Sequence, residues 1–127
     1  MKLVNMTGNH TVSIVVGATY DASIRKYTGG EIALTIEPSG TMLSAKFEEV
    51  AGEPLLINGI EVPTSVKRLV SCDPVPTADD DTYFIVSMLY KSAVAEMGGD
   101  TSHLLTTNGC VVADDGKGIK GCLSLCR

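Results

Sequence analysis

Residues 82–99 read Thr82-Tyr83-Phe84-Ile85-Val86-Ser87-Met88-Leu89-Tyr90-Lys91-Ser92-Ala93-Val94-Ala95-Glu96-Met97-Gly98-Gly99, and the fold turns on how this stretch divides. Residues 83–86 form a short aromatic and β-branched apolar run, the pattern of a buried strand. Ser87 follows where a helix N-cap is wanted, because its hydroxyl can accept a bond from an orphan backbone N–H. Val86, Leu89, Tyr90, Ala93, Val94 and Met97 then recur at three- and four-residue spacing and predict one apolar helical face over about 87–97. Lys91 and Glu96 fall largely outside that stripe, and Gly98 and Gly99 supply the stop. A strand that becomes a helix creates a switch point, so residues 87–91 are the first place to expect a ligand.

Outward from this stretch the chain reads mostly as strands. Residues 2–6 and 11–16 are strand-like around the polar turn Thr7-Gly8-Asn9-His10, which predicts a hairpin or a sharp corner ended by Gly17. Residues 20–30 show little period and are expected to be a loop or short insertion. Residues 31–36 set Ile32, Leu34 and Ile36 on one face, a half-buried strand. A turn at Pro38-Ser39-Gly40 leads to a further strand over 41–50. Asn58-Gly59 between Leu55-Leu56-Ile57 and Ile60-Glu61-Val62 is the strongest hairpin signal present. Residues 66–72 add a strand, 73–81 an acidic loop with two prolines, and 109–113 and 119–125 a last pair around the Asp115-Gly116 turn. The expected fold is therefore α+β: a small β-rich barrel or sandwich of several short, mainly antiparallel strands with one central α-helix, the whole of 1–127 forming a single domain.

Composition limits what such a domain does. A length of 127 residues supports one core, and 44% hydrophobic against 20% charged residues is globular rather than disordered. With 5% aromatics and no Trp, that core must be built from aliphatic side chains. The net charge of −5 disfavours nucleic acid and anionic membranes. It leaves room for a small anion near Arg25-Lys26, Lys67-Arg68 or Lys117 with Lys120. No apolar run reaches the roughly 20 residues of a membrane span, and the opening residues lack a secretory apolar segment, so a cytoplasmic location is expected.

Reduced, buried cysteines are the expectation for Cys72, Cys110, Cys122 and Cys126. On a strand Cys122 and Cys126 would lie roughly 13 Å apart, too far to share a zinc ion. Asp79, Asp80 and Asp81 lack the ligand rhythm and glycine of a calcium loop and read as a solvated turn. No metal or cofactor is expected. Histidine chemistry is confined to His10 and His103, and the Walker, dinucleotide and nucleophile-elbow motifs are missing. Gly116-Lys117-Gly118 reads as a hairpin tip before a phosphate cradle.

Several motifs together carry a resemblance. Val4-Asn5-Met6-Thr7-Gly8-Asn9-His10-Thr11-Val12 resembles the V-N-L-T-P-H-x-V opening of a family of small uncharacterised proteins of tailed phages and prophages. The likeness continues through Ile36-Glu37-Pro38-Ser39-Gly40, Tyr83-Phe84-Ile85-Val86-Ser87, Val112-Ala113-Asp114-Asp115-Gly116 and Ile119-Lys120-Gly121-Cys122-Leu123-Ser124-Leu125. The chain departs from the pattern at Gly8-Asn9, where the family has proline, and around 20–30.

The resemblance implies a phage context and no assigned activity. In that context a non-enzymatic binder is expected: a homo-oligomeric counter-defence sponge for a nucleotide immune signal, such as a cyclic ADP-ribose derivative or a cyclic nucleotide. His10, Ser39, Arg68, Ser87, Tyr90 and Lys91 would supply its donors and its wall, with no catalytic residue assigned. The alternative is a structural or host-protein-binding accessory. A phosphodiesterase acting through His10 and His103 ranks third.

Overall fold

The computed structural model describes residues 1–77 and 79–127, so position 78 of the expected acidic loop lies outside the described residues. Strand β1 (Lys2–Asn5) pairs in parallel with β8 (Thr82–Ile85), and β8 pairs in parallel with β9 (Leu104–Val112). Between β8 and β9 runs α1 (Met88–Glu96), the crossover that a parallel pair requires. The Ser87 hydroxyl accepts the Tyr90 N–H at 3.1 Å. At the other end the Gly99 N–H bonds the Val94 carbonyl and the Gly98 N–H that of Ala95, a Schellman ending.

Tyr90, Ala93 and Val94 are completely buried. Leu89 and Met97, expected on the same face, are 52% and 58% exposed. Leu89 lies about 100° around the helix from Tyr90 and so falls at the rim. Met97 is already the C-cap. With Leu43, Phe84, Val86 and Leu104, the helix stripe forms one core cluster. A second cluster joins Val12, Ile36, Ile85 and Cys122.

The sheet continues through β10 (Ile119–Cys126), β2 (Val12–Asp21) and β3 (Lys26–Ile36), giving the order β1-β8-β9-β10-β2-β3. The long ladders, β9 with β10 and β2 with β3, are antiparallel. β10 meets β2 in parallel at Cys122 opposite Ile14, and β3 returns to β9 at Tyr27 opposite Val111, so the sheet is mixed and curls on itself. Close approach of β10 to β2 depends on Gly121, where a Cβ would stand 2.5 Å from the Ser13 carbonyl oxygen. The described residues thus form a β-rich α+β fold with a single short helix.

Three local expectations change, and one is decided between its alternatives. Residues 20–30 form the end of the β2–β3 hairpin, with Thr19 opposite Thr28 and Tyr20 opposite Tyr27. Glycines at 17, 29 and 30 interrupt the apolar alternation that would have announced it. The turn at 7–10 is a corner, because β1 and β2 lie at separate places in the sheet. Ile32 and Leu34 are about half exposed, and only Ile36, beside Asn5, reaches the core. The strand expected over 41–50 starts at Ala45, since Leu43 turns into the core and Ser44 is held by the Asp73 carboxylate at 2.8 Å.

Residues 45–72 make a separate ribbon. β4 (Ala45–Ala51) pairs with β7 (Ser65–Cys72), and β5 (Leu55–Ile57) with β6 (Ile60–Val62) beyond them. Asn58 and Gly59, at φ 51° and 78°, make the left-handed two-residue turn that Asn-Gly favours. Only the β4–β7 end of the ribbon leans on α1.

Candidate binding groove

At the switch point the side chains of Asn5, Thr7, Ser39 and Ser87 are internally engaged, while among the described residues the His10 imidazole and the Lys91 ammonium have no bonded partner. Asn5, 1% exposed, donates to the His10 carbonyl at 2.6 Å and the Ile36 carbonyl at 3.1 Å, and its Oδ1 accepts from Thr7. Ser39 donates its hydroxyl to the Asn5 carbonyl at 2.7 Å. Since β1 and β8 run in parallel, with Asn5 opposite Ile85, His10, Ser39 and Ser87 gather at one end of this unit, and Lys91 lies one helical turn further. Arg68 is elsewhere, on β7, paired with Glu48. Tyr90 is core rather than wall: its hydroxyl donates to the Asp73 carbonyl at 2.9 Å, and burial pushes its pKa up.

The concave surface lies at the other side of the curl. One groove of about 290 Å³ runs between Thr11, Ser13 and Thr107 over Cys110 and Cys122. A second, of about 450 Å³, opens between the hairpin tips, lined by Tyr20, Arg25, Lys26 and Tyr27 on one side and Gly116 and Gly118 on the other. Cys110 and Ile119 line both, so the two form one composite trough. The second groove, at about 450 Å³, falls in the lower part of the roughly 300–1,000 Å³ range of small-molecule sites, and the first lies just below it.

Each wall has a local cause. Tyr20 and Tyr27 are direct cross-strand partners whose rings meet edge to face at 5.3 Å and 71°. Asp21 closes the turn by accepting the Ser23 N–H and hydroxyl, bonds that hold its pKa below the ordinary carboxylate value. The chain then enters the left-handed region at Arg25, φ 55°. Among the described residues the ion pairs are Met1–Asp81, Arg68–Glu48 and Lys120–Asp114, which leaves Arg25 and Lys26 without a carboxylate partner.

Lys120 acts as a clip between the hairpins. Its ammonium is 15% exposed and donates to the Gly30 carbonyl at 2.7 Å and to Asp114 at 3.2 Å. On the floor, Cys122 faces Cys110 across the β9–β10 ladder, and burial raises the Cys122 thiol pKa. At the far tip the Gly116 and Lys117 N–H groups bond Ala113 and Asp115, so the glycine turn is satisfied internally.

None of the six residues expected to bind a ligand lines this trough. Of the trough's groups, sequence reasoning noted the Arg25-Lys26 pair and missed Tyr20 and Tyr27, which fell in the presumed loop. Their symmetric placement about the Asp21–Arg25 turn was the available signal. His103 bonds the Thr82 carbonyl at 2.8 Å, at the start of β8, whereas His10 lies beyond its end. Three strand steps of about 3.3 Å separate the two ends, so the histidines do not converge on one bond.

Asp79 is tied to Thr82 and to the Asp81 N–H, and among the described residues no cluster of three metal-ligating side chains occurs. Among the described residues no helix is long and apolar enough to cross a membrane. No family model matches the chain, and no curated protein or solved structure matches it.

Proposed function

We propose that the chain is a non-enzymatic binding protein that captures a small anionic, nucleotide-like ligand in the trough between the β2–β3 and β9–β10 hairpins. The observation that supports this most directly is the meeting, in one groove, of two carboxylate-free cations, Arg25 and Lys26, with the exposed Tyr20 and the half-buried Tyr27. Planar bases stack on aromatic faces, and an arginine fork matches phosphate geometry in two hydrogen bonds. The flanking Thr11, Ser13 and Thr107 offer hydroxyls of the kind that orient a ribose.

Joined to the phage-like sequence motifs, this groove suits a counter-defence sponge for a cyclic ADP-ribose-like or cyclic nucleotide signal. Sequestration needs affinity without turnover, and the separated histidines fit that need better than they fit a phosphodiesterase.

The test is a thermal-shift series with cyclic dinucleotides, cyclic trinucleotides and cyclic ADP-ribose, followed by mass spectrometry of the ligand released on heating. A bound ligand at a hundred times its Kd stabilises by about 2.7 kcal/mol, and the shift should vanish in Arg25→Ala/Lys26→Ala. Recovery of altered nucleotide would replace this reading with an enzymatic one. No shift at saturating concentration of any of them would turn it toward a protein-binding accessory.

A further inference from the structure

Of the four cysteines, all expected to be buried, only Cys122 is; Cys72 is half-buried, and Cys110 and Cys126 are exposed. Cys110 and Cys122 stand directly opposite each other in the antiparallel β9–β10 ladder. Opposite residues share one face of a sheet, with Cα atoms about 4.5–5.5 Å apart. That separation lies inside the Cα range of disulfides, about 4.4–6.8 Å. No other cysteine stands in register with either. Cys126 is opposite Thr106, roughly 13 Å along the strand from Cys122, and Cys72 ends β7 and packs against the other core cluster.

Position also gives the two thiols different roles. Cys110 lines both grooves, so a small solute reaches its sulfur from the trough. Cys122 lies deeper, clustered with Val12, Ile36 and Ile85, and its thiol donates to the Ser13 carbonyl at 3.5 Å. Burial raises the Cys122 pKa, which keeps this thiol protonated and inert toward solutes until an electrophile is delivered beside it.

We infer that Cys110 and Cys122 are a redox-active dithiol, a modification site at which a small aliphatic disulfide of the glutathione type is reduced and an intrachain Cys110–Cys122 bond is made. In the first step the Cys110 thiolate attacks one sulfur of the small disulfide. A mixed disulfide forms on Cys110, the S–S bond of the oxidant breaks, and one small thiolate leaves and takes up the proton that Cys110 gave up. In the second step Cys122 loses its proton and its sulfur attacks the Cys110 sulfur, so the second small thiol leaves carrying that proton. Two protein thiols are oxidised, and one small disulfide is reduced to two thiols. Opposite Cβ atoms start about 4.5–5.5 Å apart, against about 3.5–4.5 Å in relaxed disulfides. The bond therefore draws the strands together under strain, and strained disulfides are the kind that small thiols reopen. Making it also takes the Cys122 donor from Ser13, at the place where β10 meets β2.

The test is incubation of the folded chain with oxidised glutathione, an acid quench, then intact mass and non-reducing peptide mapping. In Cys72→Ser/Cys126→Ser, which leaves the pair alone with the oxidant, the mass should fall by about 2 Da, the loss of two hydrogens, and return with reduced glutathione. The wild type should show the same Cys110–Cys122 link. Adding Cys122→Ser to the double variant should stop the reaction at a glutathione adduct on Cys110. Adding Cys110→Ser instead, a change at an exposed side chain that leaves the core intact, should leave Cys122 unmodified. A double variant that keeps the adduct on Cys110, or that links two chains, overturns the inference. So does one that does not react under conditions that modify the urea-unfolded chain.

Discussion

At the carboxyl ends of β1 and β8, Asn5 binds two carbonyls and two groups of Thr7, Ser39 caps the Asn5 carbonyl, and Ser87 caps α1. At the tips of β2–β3 and β9–β10, Arg25 and Lys26 project without carboxylate partners beside two half-exposed or exposed tyrosines. Both regions are polar, and both contain residue types that bind ligands. In the first, Asn5, Thr7, Ser39 and Ser87 hold strands and helix in register; the second leaves Arg25 and Lys26 open over a groove. Residue type alone does not mark a site; the marker is a polar group that folding has not already engaged.

Mutations should separate the two regions. The largest effect is expected from Tyr90→Ala, which empties a fully buried site beneath the helix and should cost about 3–5 kcal/mol in urea unfolding. Asn5→Ala comes next. It leaves the His10 and Ile36 carbonyls and the Thr7 donors without their partner, and about 2–4 kcal/mol should be lost at the same readout. A smaller, pH-dependent effect belongs to the Tyr90 hydroxyl. Burial raises its folded pKa, so the folded state favours the neutral phenol. That contribution is complete below the ordinary tyrosine value of about 10 and is lost as pH rises through the folded value. Unfolding midpoints should therefore fall on the alkaline side in the wild type and fall less in Tyr90→Phe. The smallest change in stability is expected from Arg25→Ala/Lys26→Ala, within about 0.5 kcal/mol, although the nucleotide-induced shift should disappear. If that pair instead destabilised the chain as strongly as Asn5→Ala, the contrast between the two regions would collapse.

Features with local causes were legible in the sequence. Ser87 as cap, Gly98-Gly99 as stop, and the Asn58-Gly59 and Asp115-Gly116 turns each depend on residues a few positions apart, and each stands in the structure as read. What escaped was set by distant partners. Tyr20 and Tyr27 become a pair through the register of a hairpin whose strands carry positive-φ glycines at 17, 29 and 30 in place of an apolar alternation. Tyr90 leaves the ligand wall because it is buried and its hydroxyl donates a hydrogen bond to the carbonyl of Asp73, 17 residues away. Ser39 donates its hydroxyl to the Asn5 carbonyl, and Asn5 holds the backbone carbonyl of His10, a hub role that no periodicity announces. The apolar residues of β5 and β6 were read correctly as a hairpin, but alternation does not say whether a strand's apolar face meets its own chain.

The position of β10 bears on how the molecule assembles in time. It lies between β9 and β2, so the β2 edge of the hairpin formed by residues 12–36 is covered only when residues 119–126 are in place, and Lys120 reaches Gly30 across 90 positions of sequence. Such distant pairings place a large loop-closure entropy ahead of the contacts that offset it. The helix and the Asn58-Gly59 hairpin can form early, while the trough is completed in a late, slow step. Until then the β2 edge and its apolar residues stand open to other chains, and partly folded molecules should be more prone to aggregate than the native protein.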